Sequence, residues 1–356
     1  MKKPIAVFLC LILMLSNGCA LKKEQRFSAQ FLGLFDTVTT VVGYAQSEEE
    51  FTELVEKLRA KLGEYHRLYD IYNDYEGVNN VKTINDNAGI APVKVDARII
   101  ELLKLMIKRN GETGGAVNVA MGAVLSIWHD YREAGLNDPE NAALPPMELL
   151  EAAAMHTSIG DIAIDEAAST VYLKDPKMRL DVGSTAKGYA AEQVALYALS
   201  LGVTSLLLSV GGNVRAIGEK MEPDSSGDRR WNIGVQNPDK ESEKTELFHL
   251  LVNDMAVVSS GVYERYYVVD GARYHHIIDP KTLMPATGYL QVTILCADSG
   301  TADSLSTAVF NMSLQEGRRF IDGMDGVEAA WVLADGSLSF SDGFLRYVKE
   351  NMGATP

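Results

Sequence analysis

The segment Asp181-Val182-Gly183-Ser184-Thr185-Ala186-Lys187-Gly188-Tyr189-Ala190 constrains the fold more than any other part of the chain. An apolar run ends at Leu180, a carboxylate and a glycine follow, and apolar residues then recur at helical spacing through Ala190, Ala191, Val194, Ala195, Ala198 and Leu199 until Gly202. The pattern predicts a strand from Met178 to Val182, a tight turn and a helix. Such turns present free backbone N–H groups and the positive end of a helix dipole to an anion, and Lys187 in the first helical turn adds a full charge. The same residues also suit a plain strand-to-helix turn with a lysine stem laid along apolar surface.

The chain opens with Met1-Lys2-Lys3-Pro4, runs apolar from Ile5 to Leu15, and reaches Ser16-Asn17-Gly18-Cys19. Two lysines, a short apolar stretch and a small residue before cysteine form an export signal too short to span as an ordinary transmembrane helix. Residues 1–18 resemble a bacterial lipoprotein signal, which implies an acylated Cys19 and a body anchored through lipid at the outer face of the cytoplasmic membrane. Residues 19–30 are then expected to be a tether, and 31–356 one large domain. Cys10 would leave with the signal, so Cys296 would be the only unmodified thiol, and a disulfide framework is excluded. The net charge of -15 argues against nucleic acid as a partner. An acidic chain that binds an anion must use a local cationic cluster or a metal.

In chain order, Phe31 to Tyr44 reads as a strand interrupted at Asp36, and Ser47 with Glu50 forms a capping box for a helix. Tyr69, Tyr72 and Tyr75 lead into an Asn/Gly-rich loop, where hydroxyl-bearing rings suit either a core edge or stacking on a planar ligand. Asp96 caps a second helix, and Gly114-Gly115 precede Ala116-Val117-Asn118, where the backbone can be closely approached. Hairpins are expected at Ile162–Leu173, at Asp270-Gly271 and at Asp335-Gly336. Strands and helices intermix without strict alternation, so the expected class is α+β: mixed and antiparallel sheets flanked by helices, in one two-lobed domain.

Near the C-terminus, Asp303 and Thr307 are four apart at a helix start, so their oxygens share one face. A carboxylate, a hydroxyl and a nearby carbonyl are hard ligands that suit magnesium; equally, Asp303 could simply cap the helix and Thr307 bond back to it. No histidine pair has zinc-ligand spacing within a helix. His276, beside Asp279-Pro280, suits proton transfer or a structural hydrogen bond.

Together, Asp181-Val-Gly-Ser-Thr-Ala-Lys187-Gly-Tyr-Ala, Ser209-Val-Gly-Gly-Asn213, Ser259-Ser-Gly-Val-Tyr-Glu-Arg265, His276-Ile-Ile-Asp-Pro280 and Ala302-Asp-Ser-Leu-Ser-Thr307 closely resemble the ApbE-like FAD:protein FMN transferases. The resemblance runs from Phe31 to the C-terminus. It implies FAD as donor, Mg²⁺ on its pyrophosphate, and transfer of FMN to a threonine or serine of an exported acceptor protein with release of AMP. It further implies metal ligation by Asp303, Thr307, the Ser184 carbonyl and Ser306, FAD contacts from Tyr72, Ala116, Val117, Asn118, Asp181, Lys187 and Ile277, and His276 as base. Two departures stand out: Ser184 where Gly or Ala is usual, and Phe35-Asp36-Thr37 where many relatives have Met-Gly-Thr. The family's acceptor motif, Asp-Gly-x-Ser/Thr-Gly-Ala-Thr, is missing from this chain, which implies a separate acceptor. Alternatives are an FAD pyrophosphatase giving FMN and AMP, and a non-catalytic flavin-binding lipoprotein.

Overall fold

The computed structural model describes residues 24–349. The expected signal, Cys19 and the first part of the tether lie outside the described residues. Strands β1 (Gln25–Leu34) and β2 (Thr37–Ala45) form a hairpin, so the single strand expected from Phe31 is in fact two. Its interruption is a two-residue turn, Phe35-Asp36, with both residues at φ 52°. β1 also takes in Gln25–Gln30, expected in the tether. Apolar side chains explain this: Phe27 stacks on Phe51 with ring centroids 5.5 Å apart, and Phe31 packs on the same core.

Helices α1 (Glu48–Tyr69), α2 (Val81–Asp86) and α3 (Ala97–Glu112) follow, with Ser47 capping the first and Asp96 the third as expected. Strand β3 (Val93–Lys94) precedes α3 and later joins a small sheet. Next come α4 (Gly122–Asn137), α5 (Met147–Ala154) and the hairpin β4 (Ile162–Asp165) and β5 (Thr170–Leu173). Then come α6 (Ala186–Ser200), β6 (Leu206–Val210), β7 (Asn213–Ile217), β8 (Trp231–Gln236) and β9 (Glu246–Val252). After these lie β10 (Ala256–Gly261), the hairpin β11 (Tyr266–Val269) and β12 (Ala272–His275), β13 (Tyr289–Cys296) and α7 (Ser299–Phe310). The described chain closes with α8 (Leu314–Asp322), β14 (Glu328–Leu333) and β15 (Leu338–Phe340).

The expected strand at Met178–Val182 does not form. Met178, Leu180 and Val182 are buried, which gave the segment its strand-like pattern, but it makes only a single bridge, Arg179 to Met121. Around that bridge Asp181 N donates to Val119 O at 2.8 Å and Gly122 N to Arg179 O at 3.0 Å, and between them a side chain serves Leu180: its N–H donates to Asn85 Oδ1 at 2.7 Å, and Asn85 Nδ2 donates to Leu180 O at 3.0 Å. Buried backbone must find partners somewhere, and an amide side chain supplies both.

An eight-stranded sheet, in the order β1-β2-β6-β7-β10-β13-β14-β15, is the centre of the molecule. Every ladder among the described residues is antiparallel, and the bridge at Met121 is the one parallel contact. The α+β class stands. Helices α1 and α6 pack against β2 and β6 around Leu58, Leu62, Val194 and Leu208, α3 adds Leu103 to the same core and packs on α1 and α7, and α7 covers β10 and β13. On the other face of the sheet the β8–β9 ribbon packs through Trp231, Val235 and Phe248 onto Val42, Val257 and Leu295. A fourth apolar cluster joins α4 and α5 to the β11–β12 hairpin around Trp128, Leu150 and Tyr267. No helix among the described residues is long and apolar enough to cross a membrane.

Candidate active site

Two buried helices set the site. Gly188, in the first turn of α6, lies against α7 so closely that a Cβ there would collide with Ser299 O and Asp303 Cβ. A buried ion pair supports this crossing: Glu192 accepts from Arg215 Nε at 2.9 Å and from Ser299 N, the first residue of α7, at 2.8 Å. Asp298, not Asp303, caps α7, its side chain accepting from Thr301 N. Asp303 lies more than a turn further on and reaches across to α6, where it accepts from Gly188 N at 2.8 Å. It therefore caps the neighbouring helix rather than its own, at the turn that carries Lys187.

Asp303 is almost fully buried, and desolvation raises its pKa. Lys187 and the Gly188 N–H oppose that shift. Asn213 Nδ2 opposes it too, lying near enough to favour the charged form without closing a hydrogen bond, and it has no other partner among the described residues. A buried carboxylate needs hydrogen bonds or a counter-charge, and the cavity is the side from which a cation can reach it. Thr307, one turn further along α7, and Ser184 line the same cavity as Asp303, so the donors brought together are oxygens. That set fits a hard cation such as Mg²⁺. No cluster of three His, Cys, Asp or Glu residues placed to hold a metal ion exists among the described residues.

Ser306 does not belong to this set. It is fully buried, donates to Asp303 O at 2.8 Å, and its Oγ lies 2.7 Å from Ser260 Oγ on β10. The back-bond expected of Thr307 is thus made by Ser306, whose side chain pins α7 to the sheet instead of facing the cavity.

The cavity measures about 660 Å³. Tyr72, Ala116, Val117, Asn118, Asp181, Lys187, His276 and Ile277 all line it. Each is set by a local device. Asp70 accepts from Tyr72 N at 2.7 Å and from Tyr75 OH at 2.7 Å, fixing the tyrosine loop, and Tyr72 lies against His129 with centroids 5.2 Å apart. Asn110 Nδ2 donates to Val117 O, Asn311 Nδ2 to Ala116 O and Asn118 Nδ2 to Thr157 O, so side-chain amides hold the 116–118 backbone from three sides. Asp181 Oδ1 accepts from Gly183 N at 2.8 Å and closes the turn. Burial raises its pKa, against the positive charge of Arg265.

The adjacent histidines have different tasks. His275 is buried with both ring nitrogens engaged: Nε2 lies 2.7 Å from Ala286 O, and Nδ1 accepts from Ile277 N at 3.1 Å. His276 Nδ1 lies 3.2 Å from Arg265 O. A carbonyl only accepts, so Nδ1 carries the proton and Nε2 keeps its lone pair. His276 lines the cavity and is exposed to it. Desolvation by the surrounding protein, then the charges of Arg265 and Lys187, push its pKa down, which favours the neutral ring.

His129, Arg132 and Asn311, to which the sequence assigns no role, also line the cavity, as do Phe35, at the departure from Met-Gly-Thr, and Tyr263, inside the Ser259–Arg265 motif. Phe35 comes in on the left-handed hairpin turn, its N–H donating to His66 Nδ1 at 3.2 Å. His129, Arg132 and Asn311 carry no local signal, since they come from helix α4 and from a loop end far away in the chain. Arg132 and Arg265 join Lys187 as cations on the wall of an otherwise acidic protein.

A family model described as the ApbE family matches residues 35–331. The chain belongs to the ApbE family. An ApbE relative named FAD:protein FMN transferase, from Treponema pallidum, is 34% identical over 271 residues, covering 75% of this chain and 74% of its own length. Another of that name from Klebsiella pneumoniae is 29% identical over 274 residues, covering 75% and 81%. The crystal structure of the ApbE protein from Thermotoga maritima superposes with a TM-score of 0.78 at 30% identity, over 92% of this chain and 100% of that one. The flavin transferase ApbE from Vibrio cholerae shares the fold at a TM-score of 0.73 and 22% identity, over 91% and 100%.

Proposed function

We infer that this chain is a flavin transferase that moves FMN from FAD to a serine or threonine hydroxyl of a separate exported protein, with AMP as leaving group. One observation carries the reading. A buried carboxylate, Asp303, is tied by Gly188 N to the turn bearing Lys187, in the same cavity as a neutral His276. FAD binding falls to Tyr72, Ala116, Val117, Asn118, Asp181, Lys187 and Ile277. Asp303, Thr307 and the Ser184 carbonyl would hold Mg²⁺, which when bound neutralises charge on the pyrophosphate as a Lewis acid. Ser306 drops out of that set and keeps its structural bond to β10.

The remaining chemistry belongs to the chain. His276 Nε2 takes the proton of the acceptor hydroxyl while Arg265 O holds the ring from the other side. The hydroxyl oxygen forms a bond to the FMN phosphorus as the bond from that phosphorus to the bridging oxygen breaks. AMP leaves with the bridging oxygen and its electron pair. Lys187 stays near the phosphates throughout and offsets their charge, which counts for more in a recessed site than in water. In-line placement of hydroxyl, phosphorus and leaving oxygen supplies the rest. We further propose that Cys19 carries lipid. With β1 starting at Gln25, only residues 19–24 would separate lipid from fold, a reach of about 20 Å at ~3.4 Å per residue. The catalytic body would then work close to the membrane, on acceptors anchored there.

The test is incubation with FAD, Mg²⁺ and an exported protein carrying the acceptor motif, followed by in-gel flavin fluorescence under denaturing conditions. Fluorescence on the acceptor band with AMP in equal amount is the expected result. AMP and free FMN with an unlabelled acceptor would make the chain a pyrophosphatase, and FAD bound but intact would make it a binder.

A further inference from the structure

The central sheet is stepped beside the cavity. β6 and β7 turn back on each other at Gly211-Gly212, so β7 begins only at Asn213. It pairs with β10 through two residues, Val214 with Val257 and Arg215 with Ala256. On its other side β10 continues paired with β13 as far as Gly261, opposite Gln291. Among the described residues, Val258–Gly261 therefore has a strand neighbour on one edge and none on the other.

Alternation along the strand identifies which groups face the open edge. Met255 O accepts from Ala216 N on the β7 side, and Val262 N donates to Leu290 O on the β13 side. In an antiparallel strand the N–H and C=O of one residue point the same way and those of the next point the other way. Ser259 and Gly261 thus turn both backbone groups toward the open edge. Both residues line the cavity, as do Ser209, Gly211 and Gly212 at the step. The edge is rigid, since Ser260 Oγ is hydrogen-bonded to Ser306 of α7, and it is continuous with the reacting group. Four residues beyond Gly261, Arg265 O accepts from His276 N at 3.1 Å and holds the His276 ring.

We propose that the acceptor protein docks here, as a short extended segment that adds to β10 along Ser259–Gly261 and so delivers its hydroxyl to His276. The proposal rests on the transferase reading and adds how the protein substrate is held. An edge of unpaired backbone groups is a template for another chain, and strand addition draws affinity from main-chain bonds whatever the side chains. That suits an enzyme whose acceptor must present one small hydroxyl deep in a cavity. The residues assigned to FAD come from other elements: the loop after α1, the 116–118 loop, the turn before α6 and Ile277. Donor and acceptor thereby meet in one cavity on different parts of its wall.

The test uses the intact enzyme with FAD, Mg²⁺ and a synthetic peptide bearing the Asp-Gly-x-Ser/Thr-Gly-Ala-Thr motif. Backbone amides are replaced one at a time by esters, which removes a single N–H donor and leaves the side chains alone. Strand addition predicts a period of two: alternate replacements raise the peptide KM about three- to tenfold, as expected for one lost hydrogen bond, and those between leave it unchanged. Amide exchange should also slow in residues 257–263 when peptide is added with FAD present. Uniform sensitivity along the peptide, or protection confined to another surface, overturns the docking mode while the transferase reading survives. A parent peptide that is never flavinylated removes the proposal together with the reading it rests on.

Discussion

At the scale of single residues, the site depends on opposed electrostatic environments a few residues apart in space. Burial raises the pKa of Asp303 and Asp181, whereas wall and cations depress that of His276. The sign of the second shift has a kinetic consequence. With its pKa below the ordinary ~6.5, His276 keeps the neutral, proton-accepting form as pH falls through the usual histidine range. The acid limb of kcat/KM, which reports free-enzyme groups, should then show no inflection near ~6.5. The fall in activity on the acid side should instead follow protonation of the two carboxylates, whose pKa values burial raises. A pH profile with FAD below saturation checks this, and a single ionisation at an ordinary histidine value would contradict it. His276→Ala should reduce transfer by about 10²- to 10⁴-fold, the usual share of a positioned base, with FAD affinity unchanged by fluorescence titration.

At the scale of elements, the critical contact is the crossing of α6 and α7. Because a Cβ at position 188 would meet Ser299 O and Asp303 Cβ, Gly188→Ala must push the helices apart. We expect a loss of ~1–3 kcal/mol in urea unfolding, the usual cost of overpacking, and a larger proportional loss of turnover because Asp303 shifts with α7. Unchanged stability would mean that the crossing relaxes freely. Much at this scale was legible in the sequence. The caps at Ser47 and Asp96 and the turns at Asp270-Gly271 and Asp335-Gly336 all carry chemistry that demands one local conformation. What misled was burial without a ladder. Met178–Val182 has the residues of a strand, but it pairs with 119–122 through a single bridge, and Asn85, ninety-five positions away from Leu180, takes up the backbone groups of Leu180. Helix α4 went unnoticed because it starts without a side-chain cap, at Met121. Ser306 reads as a ligand in Asp303-Ser-Leu-Ser-Thr307, yet the helix turns its hydroxyl toward Ser260, a partner that spacing alone does not reveal.

At the scale of the whole molecule, the cavity wall draws on the β1–β2 turn, the loop after α1, α4, the turn before α6, the central sheet, β8, His276 and α7. A ligand bridging so many elements should stabilise them together. FAD with Mg²⁺ at 100 times its Kd should add about 2.7 kcal/mol to unfolding, and a chelator should remove most of that gain. A melting temperature that FAD raises equally with and without Mg²⁺ would separate nucleotide binding from the metal. The resemblance of ordered motifs anticipated the family because those motifs converge from distant positions, whereas single motifs each had an ordinary structural reading. The claim on which the rest depends is that Asp303 serves a cation on FAD and is more than a cap for α6. Asp303→Asn separates the two, since an amide oxygen still accepts from Gly188 N but carries no charge. The measurement is AMP release from FAD across a Mg²⁺ titration, beside thermal melting of the same protein. We predict an unchanged melting temperature and a rate reduced about 10²- to 10³-fold, of the order of losing one electrostatic stabiliser. Wild-type rates at low Mg²⁺ in a folded Asp303→Asn protein would contradict the account.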